Sequence, residues 1–517
     1  MSNKIAITAI IITCITLLSK VFGFFRDVIL AATFGTTYKA DAFIMAQSIV
    51  EVVTSVVIVA LGTTFIPVMS DYLNSKSKEE TNKFLNVVYN VSTCVSLIIC
   101  VLGMVFTKEL VSIFAPNFST EVQELTIQLT RIILPSIILM VFVTLNNAKL
   151  QNHGNFLIPT AIGFPQNIIL ITAMIFFTDS YGIYGLAVAV FVGTLFQVII
   201  QLPFTRKLKY HFKFDFDLKE DGLRRIGVLI VPIIIGSGVQ QINWIVDRML
   251  ASGLPEGSIA ALNYSNRLNA FIIGLLSAVV TTIFYTSMSN YYSQGKDKEF
   301  KEMLRKTINI LIILIIPASI GFFVLRLPIV KLIFLRGSFD IEAAEMTAYA
   351  LYFATLGMIG FSLREVISRA FYAIKDTKTA MINGSIAVII NIVASLLLVP
   401  HLGLGGLVLG TSISAIVGTI LLMISLHKKV GDYGYRNILL IFTKILIVSI
   451  VMGIIVDYCY VIFYTATSNN IIPLLLSILV GMVFYVGMII LLKIEEFALL
   501  KQIIVVRVGR VFKKFKN

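Results

Sequence analysis

The sequence predicts an all-α polytopic membrane protein of about 14 transmembrane helices: two parallel six-helix bundles plus two C-terminal helices around a central cavity. Three observations predict it. Of 517 residues, 57% are hydrophobic and only 14% are charged, so lipid must be the solvent for most of the chain. Apolar runs long enough to cross ~30 Å of hydrocarbon recur along its length. The chain also resembles itself at an offset of about 219 residues.

Taken in order, the first run, 5–33, is too long for the core of a cleavable signal peptide. It carries Lys20 and Arg26, lacks a small-residue cleavage site and reads as a membrane helix. Runs 40–70, 82–107, 124–147, 155–178 and 182–203 complete a first set of six. The connecting "TRKLKYHFKFDFDLKEDGLRR" is hydrophilic and basic, a topology anchor beside anionic lipid. A second set follows at 224–251, 258–291, 304–326, 342–370, 380–400 and 404–427. Two further runs, 437–462 and 471–493, precede the basic tail "VVRVGRVFKKFKN". The domains on this layout are 1–220, 221–430 and 431–517.

The repeat ties the two sets together. "TTFIPVMSDYLNSKSKEE" from Thr63 aligns with "TIFYTSMSNYYSQGKDKE" from Thr282, "VFTKELVSIF" from Val105 with "VLRLPIVKLI" from Val324, and "GIYGL" from Gly182 with "GLGGL" from Gly403. Six is even, so both halves start from the same side and the repeats are parallel, an architecture suited to alternating access.

With the N-terminus cytoplasmic, roughly 30 Lys and Arg fall in cytoplasmic loops and tails and about 5 in external ones. This positive-inside pattern absorbs the net charge of +14 without invoking nucleic acid and puts both termini in the cytoplasm. The four cysteines lie in apolar runs with no metal-ligand spacing. The four histidines lie in loops with no catalytic partner pattern. Gly295-Lys296 lacks the preceding glycine of a phosphate-cradling loop, and external loops such as "ASGLPEGS" are too short to hold a glycosyl acceptor. The chain is therefore expected to be no enzyme and to carry no cofactor.

Charges remain inside the apolar runs: Lys20, Arg26, Arg131, Arg248, Arg267, Arg364 and Lys444, with Asp27, Asp41, Glu51, Asp247 and Glu365. Each costs at least ~2.5 kcal/mol near the bilayer centre, so such groups face a bundle interior or water. Arg131 and Lys444 lie near span ends and can snorkel. Arg364 and Glu365 read as an ion pair holding helices in register. Lys20 is about 15 residues into its helix, or ~23 Å, too deep for that escape. Lys20, Gly23 and Asp27 share one helical stripe and Arg26 adjoins it, with Gly23 leaving room for close approach. Arg267 lies on the eighth run, where the repeat-related region around Gln47 and Ser48 has no cation. Arginine forks and a lysine point charge suit phosphate or pyrophosphate. A drug or cation antiporter would instead line its first half with acids.

"SKVFGFFRD" (19–27), "ADAF" (40–43) and "FIPVMSDY" (65–72), with "QQINWIVDRMLASGLPEGSIAALNYSNRL" (240–268), resemble the signature of the MurJ (MviN-type) lipid II flippases, within the multidrug/oligosaccharidyl-lipid/polysaccharide exporter superfamily. The resemblance covers the whole chain. It implies a multi-pass protein of the bacterial cytoplasmic (inner) membrane that translocates lipid II by alternating access, its partners being the lipid-linked oligosaccharide, membrane lipids and cell-wall synthesis proteins. Lys20, Arg26 and Arg267 would then engage the pyrophosphate, and Gly23, a substrate-site candidate by its place on the same face, would leave room for it. Asp27 and Asp41 would be gating partners near the external end, and the last two helices would hold the polyprenyl tail. Lys20 stands where the family usually has arginine, and Glu51, Thr54 and Ser55 stand where its second helix usually offers another, so export of a different polyprenyl-linked glycan is the alternative. Asp247, Asn391 and Thr411 offer oxygen ligands for a coupling monovalent cation, though helix–helix hydrogen bonding explains them equally well. Otherwise the membrane potential would drive the cycle.

Overall fold

The computed structural model describes residues 2–467 and 471–497, so the basic tail lies outside the described residues. Among the described residues eighteen helices follow one another: α1 (Ser2–Phe34), α2 (Tyr38–Ser75), α3 (Lys78–Val105), α4 (Thr107–Phe114), α5 (Thr120–Ile133), α6 (Ser136–Asn152), α7 (Leu157–Ala161), α8 (Gly163–Phe176) and α9 (Thr178–Arg206), then α10 (Asp221–Ser252), α11 (Ser258–Ser293), α12 (Asp297–Val324), α13 (Arg326–Phe334), α14 (Ile341–Ala373), α15 (Thr377–Leu402), α16 (Leu404–Val430), α17 (Tyr435–Thr467) and α18 (Ile471–Leu491). No strand occurs among them, only an isolated bridge between Arg336 and Phe339.

Ten stretches are long and apolar enough to cross a membrane, nine of them single helices and one α7 and α8 together, or twelve if each of two bent pairs counts as one span. The α5–α6 pair bends by 42° at Pro135, which has no N–H to continue the ladder. The halves of α10, Asp221–Ile234 and Gly238–Ser252, bend by 47° beyond Pro232. Of the fourteen spans expected, the two outside this count are α1 and α11, parts of whose side chains lie outside the described residues.

The repeat is written in the elements themselves. Helices α3 and α12 are both 28 residues long and start 219 positions apart. Each is followed, after one residue, by a short helix, α4 or α13. Gly182 (φ 55°, ψ −142°) and Gly403 (φ 53°, ψ −127°), aligned in the sequence, adopt one backbone conformation that side-chain-bearing residues avoid.

Contacts divide the chain into two compact units, one of residues 1–263 with Arg336–Asp340, the other of Tyr264–Leu335 with residues 341–517. The repeat marks sequence similarity near residue 220, whereas packing puts α10 with the first unit. In that unit α2 packs on α5, α6 and α10, around Phe65, Met69, Tyr72, Phe84, Val141 and Leu145. In the second unit α16 packs on α14 and α15, and α12 on α14 and α17. Polar side chains end helices where water or neighbours allow. Ser77 and Glu80 form a capping box on α3. Asp376 caps α15, and hydrogen bonds from Lys429 and Thr379 hold its carboxyl down at about 2.

Since lipid offers helices no hydrophobic drive to associate, close backbone approach must supply the attraction. The α14–α16 seam does this with small residues. A Cβ on Gly360 would lie 2.8 Å from the backbone of Ala415, while Thr419 donates to the Gly360 carbonyl (2.7 Å) and Ser412 to that of Phe353 (2.8 Å). Gly360→Val should therefore destabilise the second unit by about 3 kcal/mol, the top of the overpacking range, because backbone cannot yield as a side chain can. Thermal unfolding in detergent measures it, and an unchanged midpoint would refute the seam.

Candidate functional site

The α1 charges are arranged by helical spacing. Ser19 and Gly23 face the α7–α8 region, where a Cβ on Gly23 would sit 3.8 Å from Asn167 Nδ2 and one on Gly163 would sit 2.6 Å from Ser19 Oγ. Phe22 meets Phe164 edge-on at 5.3 Å. Lys20, one residue round from Ser19, is exposed, and no salt bridge to it occurs among the described residues. Arg26 is half-buried, and its Nε (3.1 Å) and Nη2 (2.7 Å) both donate to Oδ1 of buried Asp27. That leaves the Nη1 side of the guanidinium facing elsewhere, still cationic. Glu51, on α2, is exposed, while Thr54 and Ser55 donate to carbonyls of their own helix.

Asp41 does something the sequence did not disclose. Only 4% exposed, it sits in the first turn of α2 and accepts the Gly257 N–H at Oδ2 (2.7 Å) and the Ala260 N–H at Oδ1 (2.8 Å). It therefore caps a second helix, α11, whose first N–H groups have no intrahelical partner. The service is returned: Glu256 Oε1, just before α11, accepts the N–H of Tyr38 at the start of α2 (2.7 Å). Each helix N-terminus thus faces a carboxylate from the other, where the helix dipole favours negative charge. Gly257 (φ 83°) permits this approach, since a Cβ there would collide with the Thr36 carbonyl. The turn 336–340 joins the same end, Ser338 donating its N–H to the Ala32 carbonyl (2.7 Å) and its hydroxyl to that of Thr33 (3.0 Å).

On α10, Asp247 Oδ2 accepts weakly from Asn243 (3.3 Å), and Oδ1 is buried without a hydrogen-bond partner among the described residues. Arg248, 8% exposed and 5.9 Å from the Trp244 ring, acts electrostatically on both Asp247 and Asp41. The remaining candidates lie in the second unit. Arg267 is exposed on α11. Asn391 accepts from Ser395 (3.0 Å), and Thr411 donates to the Leu407 carbonyl one turn back (3.1 Å). Glu365 pairs with Arg369 (2.8 Å) rather than with Arg364, because residues four apart share a helix face.

Glu256 and Ser338 are functional candidates that sequence reasoning passed over, treating their segments as plain loops. A signal existed: Pro-Glu-Gly-Ser opening an apolar run reads as a helix start.

Residues 30–490 match the model of a family described as lipid II flippase MurJ. The chain is 29% identical over 451 residues to the "Probable lipid II flippase MurJ" of Buchnera aphidicola subsp. Acyrthosiphon pisum (strain APS), covering 86% of this chain and 88% of that one. It is similar to the solved structure "Lipid II flippase MurJ, inward closed conformation", with a TM-score of 0.80, 26% identity and coverage of 93% and 98%. The fold is also that of an inward-facing multidrug resistance MATE family transporter, with a TM-score of 0.64 at 16% identity over 82% of this chain and 98% of that one.

Asp41→Ala would strand two buried N–H groups and should lower the unfolding free energy by about 2–4 kcal/mol. Glu256→Ala, whose carboxylate is exposed, should cost only about 0.5 kcal/mol. Thermal unfolding of the two variants in detergent checks the ranking; equal costs would contradict it.

Proposed function

The chain belongs to the MurJ lipid II flippase family, and from that premise we propose that it carries lipid II, the undecaprenyl-pyrophosphate-linked peptidoglycan precursor, from the inner to the outer leaflet of the cytoplasmic membrane by alternating access. Lys20 carries this reading: an exposed ammonium deep in an apolar helix is stable only beside water or an anion. Lys20 and the outer guanidinium edge of Arg26 hold the pyrophosphate, with Asp27 fixing Arg26 in place. Arg267, from α11, adds positive charge in the course of the cycle. Exposed apolar residues on α17 (Ile447, Ile454, Tyr458) and α18 (Leu479, Met482, Val483) suit the polyprenyl chain.

By the charge distribution of the loops, the end at which α1 passes to α2 is external. The paired caps of Asp41 and Glu256 then close the external side. Opening that side gives up three charge-assisted hydrogen bonds, which the pyrophosphate bound at Lys20 and Arg26 must offset. The sequence carries no phosphate-cradling loop for ATP, and a single charge crossing 100 mV yields ~2.3 kcal/mol, a fitting size for such a bias. Asp247, with one carboxylate oxygen unsatisfied among the described residues, is where a coupling monovalent cation would act.

Arg26→Ala or Arg267→Ala should abolish complementation of a flippase-depleted strain while folded protein persists in the membrane; full growth refutes the assignment. Lys20→Arg should complement, since charge is kept. Depletion of the protein should cause lipid II to accumulate in the inner leaflet, and accumulation of a different carrier-linked glycan would overturn the substrate. Asp247→Asn should remove any dependence of flipping in proteoliposomes on a cation gradient, and a gradient dependence that persists would exclude Asp247.

A further inference from the structure

The connection between α9 and α10 is an extended segment bolted to the side of a membrane helix. The chain leaves α9 through a left-handed turn at Lys209 (φ 54°) and runs along α3 in the same direction as that helix. Three asparagines spaced one turn apart receive it. Asn82 exchanges two hydrogen bonds with His211 (2.9 and 3.0 Å). Asn86 binds the His211 carbonyl (3.0 Å) and the Lys213 N–H (3.1 Å), and Asn90 donates to the carbonyls of Lys213 (2.9 Å) and Asp215 (3.0 Å). The registers match: four helical residues advance ~6 Å and two extended residues ~6.6 Å. Lys83 fixes the return through Asp217 at 2.7 Å.

Alternation then dictates what the other side shows. Phe212, Phe214, Phe216 and Leu218 share one face and are 61%, 83%, 52% and 69% exposed. Phe212 and Phe214 touch only edge-on, at 5.1 Å. Lys213, Asp215 and Asp217 take the opposite face. Four bare apolar side chains in seven residues would be a liability in water. They lie a few residues beyond α9, whose last turns expose Ile199, Ile200 and Leu202, and along the start of α3, which exposes Leu97, Ile98 and Val101 about two to three turns beyond Asn90; both helices are apolar enough to cross a membrane.

We propose that residues 211–218 are a membrane-dipping extended segment. Its phenyl rings enter the boundary between headgroups and acyl chains of the adjacent leaflet, cytoplasmic by the topology above, while exposed Arg206, Lys207, Lys209 and Lys219 bind anionic headgroups. Hydrogen bonding sets the depth. The backbone edge at 211, 213 and 215 is satisfied by asparagine, but among the described residues the backbone of Phe212, Phe214 and Phe216 has no such partner. That edge needs water or headgroups, which keeps the segment at the boundary and out of the hydrocarbon centre. Phe214, level with Asn90, reaches furthest.

Tryptophan reporters test this without substrate or transport, so failure here is separable from failure of the flippase reading. The full-length protein is reconstituted in vesicles of phosphatidylcholine and phosphatidylglycerol, the parent's Trp244 emission being subtracted. Phe214→Trp should add a blue-shifted emission quenched by acyl chains brominated near the headgroup and protected from aqueous iodide. Lys213→Trp, on the other face, should show the reverse. Removing phosphatidylglycerol should shift the emission added by Phe214→Trp to the red. Iodide quenching of that added emission with no effect of bromolipid would overturn the proposal, and point to a protein partner for the aromatic row.

Discussion

Hydrocarbon can neither accept nor donate a hydrogen bond, and every polar group of this chain that leaves water must find its partner in the protein. The helices answer that demand along their length; their ends and breaks do not. What distinguishes this molecule is how those exceptions are met: carboxylates of one helix at the N-terminus of another, asparagines along α3 for an extended segment, and small-residue seams where hydroxyls reach carbonyls of the next helix. Charge obeys the same rule. Arg26 is tethered to Asp27, and Lys20 is left at an exposed position with no salt bridge among the described residues.

The internal repeat gives these devices their pattern. Tyr38 and Gly257 are 219 residues apart, as are Asp41 and Ala260, so the two helices that cap each other begin at repeat-related positions. A duplicated helix start needs a cap twice, and each copy supplies its twin's. The equal lengths of α3 and α12 and the shared conformation of Gly182 and Gly403 show the same duplication in backbone form.

The fold was largely legible before any coordinates, because a hydropathic run of membrane length has few alternatives and the offset of 219 pairs the runs. Breaks were harder to see. The spans near 124–147 and 224–251 are bent at or beyond Pro135 and Pro232, which hydropathy averages away. For the site, the α1 cations were visible because each is a charge in an apolar run. Asp41 was visible as a charge but not as a cap, since its partners are backbone N–H groups more than 200 residues away, and backbone amides have no sequence signature. Glu365 was misleading for a simpler reason: adjacency in sequence suggested Arg364, but the helix turns them apart.

The two halves of the reciprocal cap differ in exposure: Asp41 is buried and Glu256 is not. Dissolved ions at ~0.15 M screen charges beyond ~8 Å in the open but scarcely reach into a dry interior. The hold of Glu256 on α2 therefore weakens in brine and tightens in dilute medium, while the hold of Asp41 on α11 stays constant. A clasp so built has one permanent hook and one whose grip follows the salinity of the fluid it meets.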